Sequence, residues 1–317
     1  MNWKLKAFIQ NFISILPRKT SNEIYFRIQR SFGELKRPFS PINRFLTGVY
    51  ILKKIKQYGK DFRGKIFFEV GTGRIPLLPI AFWLCGAEKI ITIDINPYMR
   101  EELIKDIMLY IEKKESEIRN IFGLLLYEKR FISLLNMYRK NNIKKEILEL
   151  CQIEYLSPAD AAKTTLPDNS IDYHVSNAVY EHIPFQIIKN ILQEGNRIIS
   201  EDGLFINIID YTDHFYKSDK KISVINFLKY NEKEWSKYTG NQYMYMNRAR
   251  HDDFLELFKS VGHNFLEVEP YINKEVEKIL DNNEVLLDSQ FKNKNKNILS
   301  ITGSLFITRK SKIYNIL

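Results

Sequence analysis

The chain is short of the residues that staple small folds together: among 317 residues it has two cysteines, Cys85 and Cys151, both in apolar contexts. Two such residues build neither a disulfide framework nor a zinc-ligand spacing, so a reducing, cytoplasmic setting is expected. Long hydrophobic runs are missing too. The longest, Ile75 to Ala87, is interrupted by prolines and falls short of the ~20 residues a membrane span requires, so it reads as a buried helix. No Pro/Gly/Ser linker and no internal repeat divides the chain.

Charge is abundant, at a net +10, but it is not concentrated. Lysines alternate with Asn, Ile and Glu along the whole length, which describes a solvated surface better than a phosphate-binding stripe, and a nucleic-acid partner is not expected. At the amino terminus Lys4 and Lys6 precede an apolar stretch broken by Gln10 and Asn11, with no small-residue cleavage site. Trp3, Phe8, Phe12 and Leu16 fit an amphipathic helix. Packing on the domain is its expected role, and weak peripheral contact with a membrane is the alternative.

The most informative segment is Phe67-Phe68-Glu69-Val70-Gly71-Thr72-Gly73-Arg74-Ile75-Pro76, followed by Thr92-Ile93-Asp94-Ile95-Asn96. An apolar strand, a glycine turn, a helix and a second strand ending in a carboxylate is how an α/β sheet builds a nucleoside pocket at its carboxyl edge. Without Cβ atoms, Gly71 and Gly73 allow positive φ and close approach of the backbone to a ligand. The helix start behind them offers unpaired N–H groups to an anion. Asp94, 23 residues after Gly71, is placed to accept ribose hydroxyl hydrogens. A dinucleotide fingerprint wants glycine where Pro76 stands, which weakens a pyrophosphate reading.

An acid at the strand end followed by Gly-x-Gly resembles motif I of the class I S-adenosylmethionine-dependent methyltransferases, of the type 11-like kind. The run from Leu166 through Asp172, Asn177 and Glu181-His182-Ile183 resembles the fourth-strand region of that family, and a helix with a turn into the strand ending at Asp210 resembles the family's fifth-strand region. The resemblance covers roughly residues 60 to 210. It implies a doubly wound α/β fold with a seven-stranded, mostly parallel Rossmann-like sheet, and S-adenosyl-L-methionine as cofactor. It implies cofactor contacts from Glu69, Gly71, Thr72, Gly73, Asp94, Ile95 and Asn177, with Asp160 and Ala161 at the adenine. For Asp160, capping a turn is the competing expectation.

A methyl acceptor with a hydroxyl needs a base. His214 is preferred, with Asp210 or Asp213 fixing its tautomer, and His182 is the second candidate. Two acids and a histidine at this spacing fit no familiar zinc pattern, so no metal is expected. Residues 211 to 250 are aromatic-rich and end in Asn247-Arg248-Ala249-Arg250. They read equally well as an acceptor-binding lid, with Tyr245, Asn247 and Arg248 on the substrate, or as a small core of their own.

The expected organisation is a helical extension over residues 1 to 60, broken by Pro38 and Pro41, and a methyltransferase domain over 61 to 317 with a helical cap at 100 to 150 and the aromatic lid at 211 to 250. The expected activity is methyl transfer to a small or medium acceptor, with oxygen of a glycan or glycan precursor as the leading case. That acceptor class rests on a likeness of Asp213-His214-Phe215 and Asn247-Arg248 to methyltransferases of surface-polysaccharide assembly. An NAD-dependent oxidoreductase and a non-catalytic interaction module are the alternatives. Oligomeric state is not legible.

Overall fold

The computed structural model describes residues 1–33, 35–36, 40–137 and 143–311. Pro38 lies outside the described residues, and Pro41 immediately precedes the helix Ile42–Gln57. Seven strands, β1 (Ile66–Val70), β2 (Lys89–Ile93), β3 (Ile153–Leu156), β4 (Ile171–Asn177), β5 (Ile199–Asp210), β6 (His263–Ile272) and β7 (Ile301–Lys310), form one sheet in the order β3-β2-β1-β4-β5-β7-β6. β1 pairs in parallel with β2 and β4, β2 with β3, and β6 runs antiparallel to β7. This is the doubly wound, mostly parallel seven-stranded architecture that the resemblance implies. Chain order reverses at β1, and in such sheets ligands bind outside the carboxyl ends of the strands at that switch point.

The chain divides into two compact units, one made of Glu34–Ser176 and Gln193–Ile206, the other of Met1–Gly33, Asn177–Leu192 and Asn207–Leu317. The expected boundary at residue 60 does not coincide with this division. Helices Trp3–Ser14 and Arg18–Phe32 fall in the second unit, and helix Ile42–Gln57 in the first.

In the first unit, β1 buries Phe67, Phe68 and Val70 from both faces, as the near-continuous apolar run of a central parallel strand requires. Helix Leu77–Leu84 is apolar all round and buried all round. Residues 101–150 are helical, as expected, over Glu101–Lys113, Glu115–Phe122, Glu128–Met137 and Ile143–Leu150. Their apolar faces, with Leu103, Ile107, Ile111, Phe122 and Ile147 buried, pack against one another, the helices Ile42–Gln57 and Leu77–Leu84, and β3. They therefore form a packed helical layer of this unit. Gly203 lies inside β5, where a Cβ would stand 2.8 Å from the Asp172 carbonyl oxygen and 2.4 Å from the Ile199 side chain.

The second unit has its own aromatic core. Trp3 packs its ring 4.7 to 6.3 Å from Phe215, Tyr230, Trp235 and Tyr238, and Phe227, Met244 and Met246 complete the cluster with residues of the carboxyl-terminal segment. Most aromatics of the expected lid are thus committed to packing. The first helix buries Trp3, Ala7, Gln10 and Ile13, while Phe8 and Phe12, grouped with Trp3 on the sequence, lie on the opposite, exposed face at 68% and 62% accessibility.

Candidate active site

The glycine turn after β1 is shaped by Asp94. Gly71 and Gly73 have φ of 89° and 69°, in the region only glycine enters freely, and a Cβ at Gly73 would meet nothing within 4 Å. One oxygen of Asp94 accepts the Gly73 N–H at 2.9 Å, and the other accepts the Asn96 N–H at 3.1 Å. A carboxylate has about four lone-pair positions, so Asp94 keeps room for a ligand hydroxyl beside these bonds. Burial pushes the Asp94 carboxyl upward against the opposing pull of the Gly73, Asn96 and Ile95 N–H groups. Ile95, next to it, is 67% exposed, an apolar surface with nothing of the protein covering most of it.

Glu69 supports the same turn from below. It is buried at the end of β1 and accepts the Thr92 hydroxyl at 2.5 Å, and Thr92 in turn meets the Thr72 hydroxyl at 2.5 Å. This chain of three buried side chains ties the turn to β2, and Thr92 is a residue that sequence reasoning missed. Burial raises the Glu69 carboxyl to about 7, with the Thr92 hydrogen bond pulling the other way. The loop after β3 is anchored to the same place, because the Ala159 N–H donates to the Asp94 carbonyl at 3.1 Å. Asp160 accepts the Ala162 N–H at 2.8 Å, the turn-capping role that competed with adenine contact, while its carboxylate remains exposed and Ala161 is buried beside it.

In the second unit, Asn177 ends β4 half-buried, and the residues after it form a compact titratable cluster. Asp210, at the end of β5, accepts from Nε2 of His214 at 3.2 Å and from the Thr212 hydroxyl at 2.6 Å. Burial alone would raise the Asp210 carboxyl, but the hydrogen bonds from His214 and Thr212 outweigh it and hold it at about 2. Asp210 is therefore the residue that fixes the His214 tautomer. His182 stacks edge-on to His214 with ring centroids 4.8 Å apart, and its Nδ1 donates to the Tyr245 carbonyl at 2.8 Å. Burial, with the His214 ring beside it, lowers His182 to about 4, so it is neutral at ordinary pH.

Three expected site residues have structural duties. Asp213 is fully buried, with one oxygen on the Phe215 N–H at 2.8 Å and the other on the Asn226 side chain at 3.1 Å, so it caps the short helix His214–Lys217 and has no contact with the His214 ring. Arg248 is buried, donating to the carbonyls of Phe227 and Tyr230 and to Glu232, and is no free clamp for an acceptor anion. Asn247 donates to the carbonyls of Tyr180 and Ile183 at 2.8 and 2.9 Å, while its own N–H reaches the Glu181 carbonyl at 2.9 Å. It fastens the turn that carries His182. Tyr245 alone of the three expected substrate residues keeps an exposed side chain.

Sequence reasoning also missed Glu181, which is 3% exposed beside His182. Its adjacency to a catalytic candidate at the end of a buried strand was the available signal. Neither of its carboxylate oxygens has a well-formed hydrogen bond, although the N–H groups of Glu181 and Asp210 lie close enough to favour its charge slightly. Burial raises it to about 8.

No protein-family model and no curated protein matches the chain. Among solved structures it is similar to magnesium protoporphyrin IX methyltransferase from Synechocystis PCC 6803 with bound S-adenosylhomocysteine, at 11% identity over 98% of this chain and 100% of that one, with a TM-score of 0.46. It is similar to an S-adenosylmethionine-dependent methyltransferase from Mesorhizobium loti at 11% identity, covering 84% and 100% of the two chains, TM-score 0.43. It is also similar to geranyl diphosphate C-methyltransferase from Streptomyces coelicolor A3(2), at 8% identity, 84% and 78% coverage and a TM-score of 0.47.

Proposed function

We propose that the chain is an S-adenosylmethionine-dependent methyltransferase acting at an oxygen of a small or medium acceptor, with a glycan or glycan precursor as the leading class. The observation that carries this reading is the turn at Gly71–Gly73, held in place by the Asp94 carboxylate, open above Gly73 and flanked by the exposed Ile95. A ribose on the spare lone pairs of Asp94 and a purine against Ile95 suit that arrangement, whereas Pro76 removes the close helix packing that a dinucleotide's pyrophosphate needs.

When bound, S-adenosylmethionine supplies a methyl group on a sulfonium, so an acceptor oxygen forms the new C–O bond as the C–S bond breaks and its electron pair stays on sulfur. The chain's own part is to receive the proton of the acceptor hydroxyl. His214 does this through Nδ1, because Nε2 carries the hydrogen donated to the Asp210 carboxylate. Asp210 stabilises the imidazolium so formed. Tyr245 offers an exposed aromatic face to the acceptor, a surface suited to a sugar ring.

Isothermal titration with S-adenosylhomocysteine and, separately, NAD tests the cofactor. Saturable binding of the first and none of the second supports the reading. NAD binding would favour an oxidoreductase, and binding of neither would leave a cofactor-shaped interaction module. No helix among the described residues is long and apolar enough to cross a membrane. The exposed stripe of Leu5, Phe8, Phe12 and Ile15 near Lys4 supports a weak peripheral contact of the first helix with a lipid surface.

A further inference from the structure

We infer that Glu181, His182 and His214 form a binding site for a divalent transition-metal ion. One donor atom from each lies within 4.8 Å of the other two, and all three belong to the same compact unit. Three features beyond proximity point to a cation. The Glu181 carboxylate is almost wholly removed from solvent and neither oxygen has a well-formed hydrogen bond, so a buried acceptor pair faces the two imidazoles without a proper partner. A group in that state is neutralised either by a proton or by a bound cation, and two imidazoles beside it favour the cation.

Both imidazoles are also held by the tautomer a metal needs. The Tyr245 carbonyl can only accept, so Nδ1 of His182 carries the hydrogen and Nε2 keeps its lone pair, with that Nε2 4.0 Å from Oε1 of Glu181. The Asp210 carboxylate likewise takes the Nε2 hydrogen of His214 and leaves Nδ1 free. Outer hydrogen bonds from ligating histidines to a backbone carbonyl and to a carboxylate are the usual supports of a metal centre. Asn247, which fastens the turn bearing Glu181 and His182, keeps two of the three donors in register.

Two nitrogens and one carboxylate oxygen select zinc, iron, cobalt or manganese over magnesium or calcium, and they leave coordination positions open. Metal–donor distances of ~2.1 Å put tetrahedral donors roughly 3.4 Å apart, so the three side chains need to close by about 1 Å. Spacing along the chain gave no reason to expect a metal, because the set is assembled in space by the ends of β4 and β5. The role of the ion, though not its binding, rests on the methyltransferase reading. There an acceptor hydroxyl enters an open position as its alkoxide, its proton is released to solvent, and the cation takes over from a free His214 the task of activating oxygen.

The test uses the full chain stripped with a chelator, titrated calorimetrically with Zn2+ and followed by visible absorption with Co2+. One ion per chain at a Kd of about 10 μM or tighter is expected, weakened at least ~100-fold in Glu181→Gln and in His214→Asn, and ~10–100-fold in Asp210→Asn. S-adenosylhomocysteine titration and far-UV circular dichroism of each variant separate loss of the site from loss of the fold. No saturable uptake by the parent chain, or equal affinity in folded Glu181→Gln and His214→Asn, overturns the metal site while leaving the cofactor reading standing. Metal uptake without cofactor binding does the reverse.

Discussion

The Glu69→Gln substitution isolates the cost of keeping one carboxyl inside the first unit. Glu69 is buried, and its carboxyl stands at about 7 in the folded chain against an ordinary 4.5. Between those values the folded protein holds a proton that the unfolded chain has released, so stability falls as pH rises through the window. From about pH 5.5 to pH 8.5 the difference in bound protons integrates to roughly one and a half pH units, or ~2 kcal/mol at 1.36 kcal/mol per unit. The glutamine carbonyl still accepts from Thr92 at nearly the same place and does not titrate. At 2–4 °C per kcal/mol, the melting temperature of the parent chain should therefore drop by ~4–8 °C more than that of Glu69→Gln across this range. The assay is thermal unfolding of ligand-free protein by circular dichroism in a pH series. Parallel curves for the two proteins would refute the reasoning.

Asp94→Asn replaces one acceptor of the cradle by a donor, losing a charge-assisted hydrogen bond of about 1.5–3 kcal/mol. S-adenosylhomocysteine affinity measured calorimetrically should thus fall ~10–150-fold, and a change below twofold removes Asp94 from the cofactor. Arg248→Ala leaves the carbonyls of Phe227 and Tyr230 without their buried donor and should cost about 3 kcal/mol in urea unfolding; a loss under about 1 kcal/mol would return Arg248 to the acceptor-binding candidates. Phe8→Ser with Phe12→Ser touches only exposed positions. It should leave the melting temperature within about 2 °C while abolishing co-sedimentation with anionic vesicles, and vesicle binding that persists unchanged would dismiss the first helix as the contact.

The seven-stranded, mostly parallel sheet was legible through the family resemblance, supported by apolar runs punctuated by glycine and acids. Side-chain duty was far less legible. Asp213, Asn247 and Arg248 carry the right chemistry for a substrate site, yet most of their partners are backbone groups of the protein itself, and nothing in residue type distinguishes a guanidinium that ties two carbonyls from one that waits for an anion. Glycine often punctuates turns, but Gly203 lies within a strand, where its missing Cβ makes room for the Asp172 carbonyl. The pairing of Glu181 with His214 spans 33 residues and is set by where two strands end, so only the fold reveals it.

The grip of Asp94 on the Gly73 N–H means that the glycine turn is held in its shape before any visitor arrives. Recognition there is a matter of filling a finished mould, with scant ordering of main chain on arrival. Loosening the mould by substitution should accordingly shorten the residence time of a nucleoside more than it slows its capture.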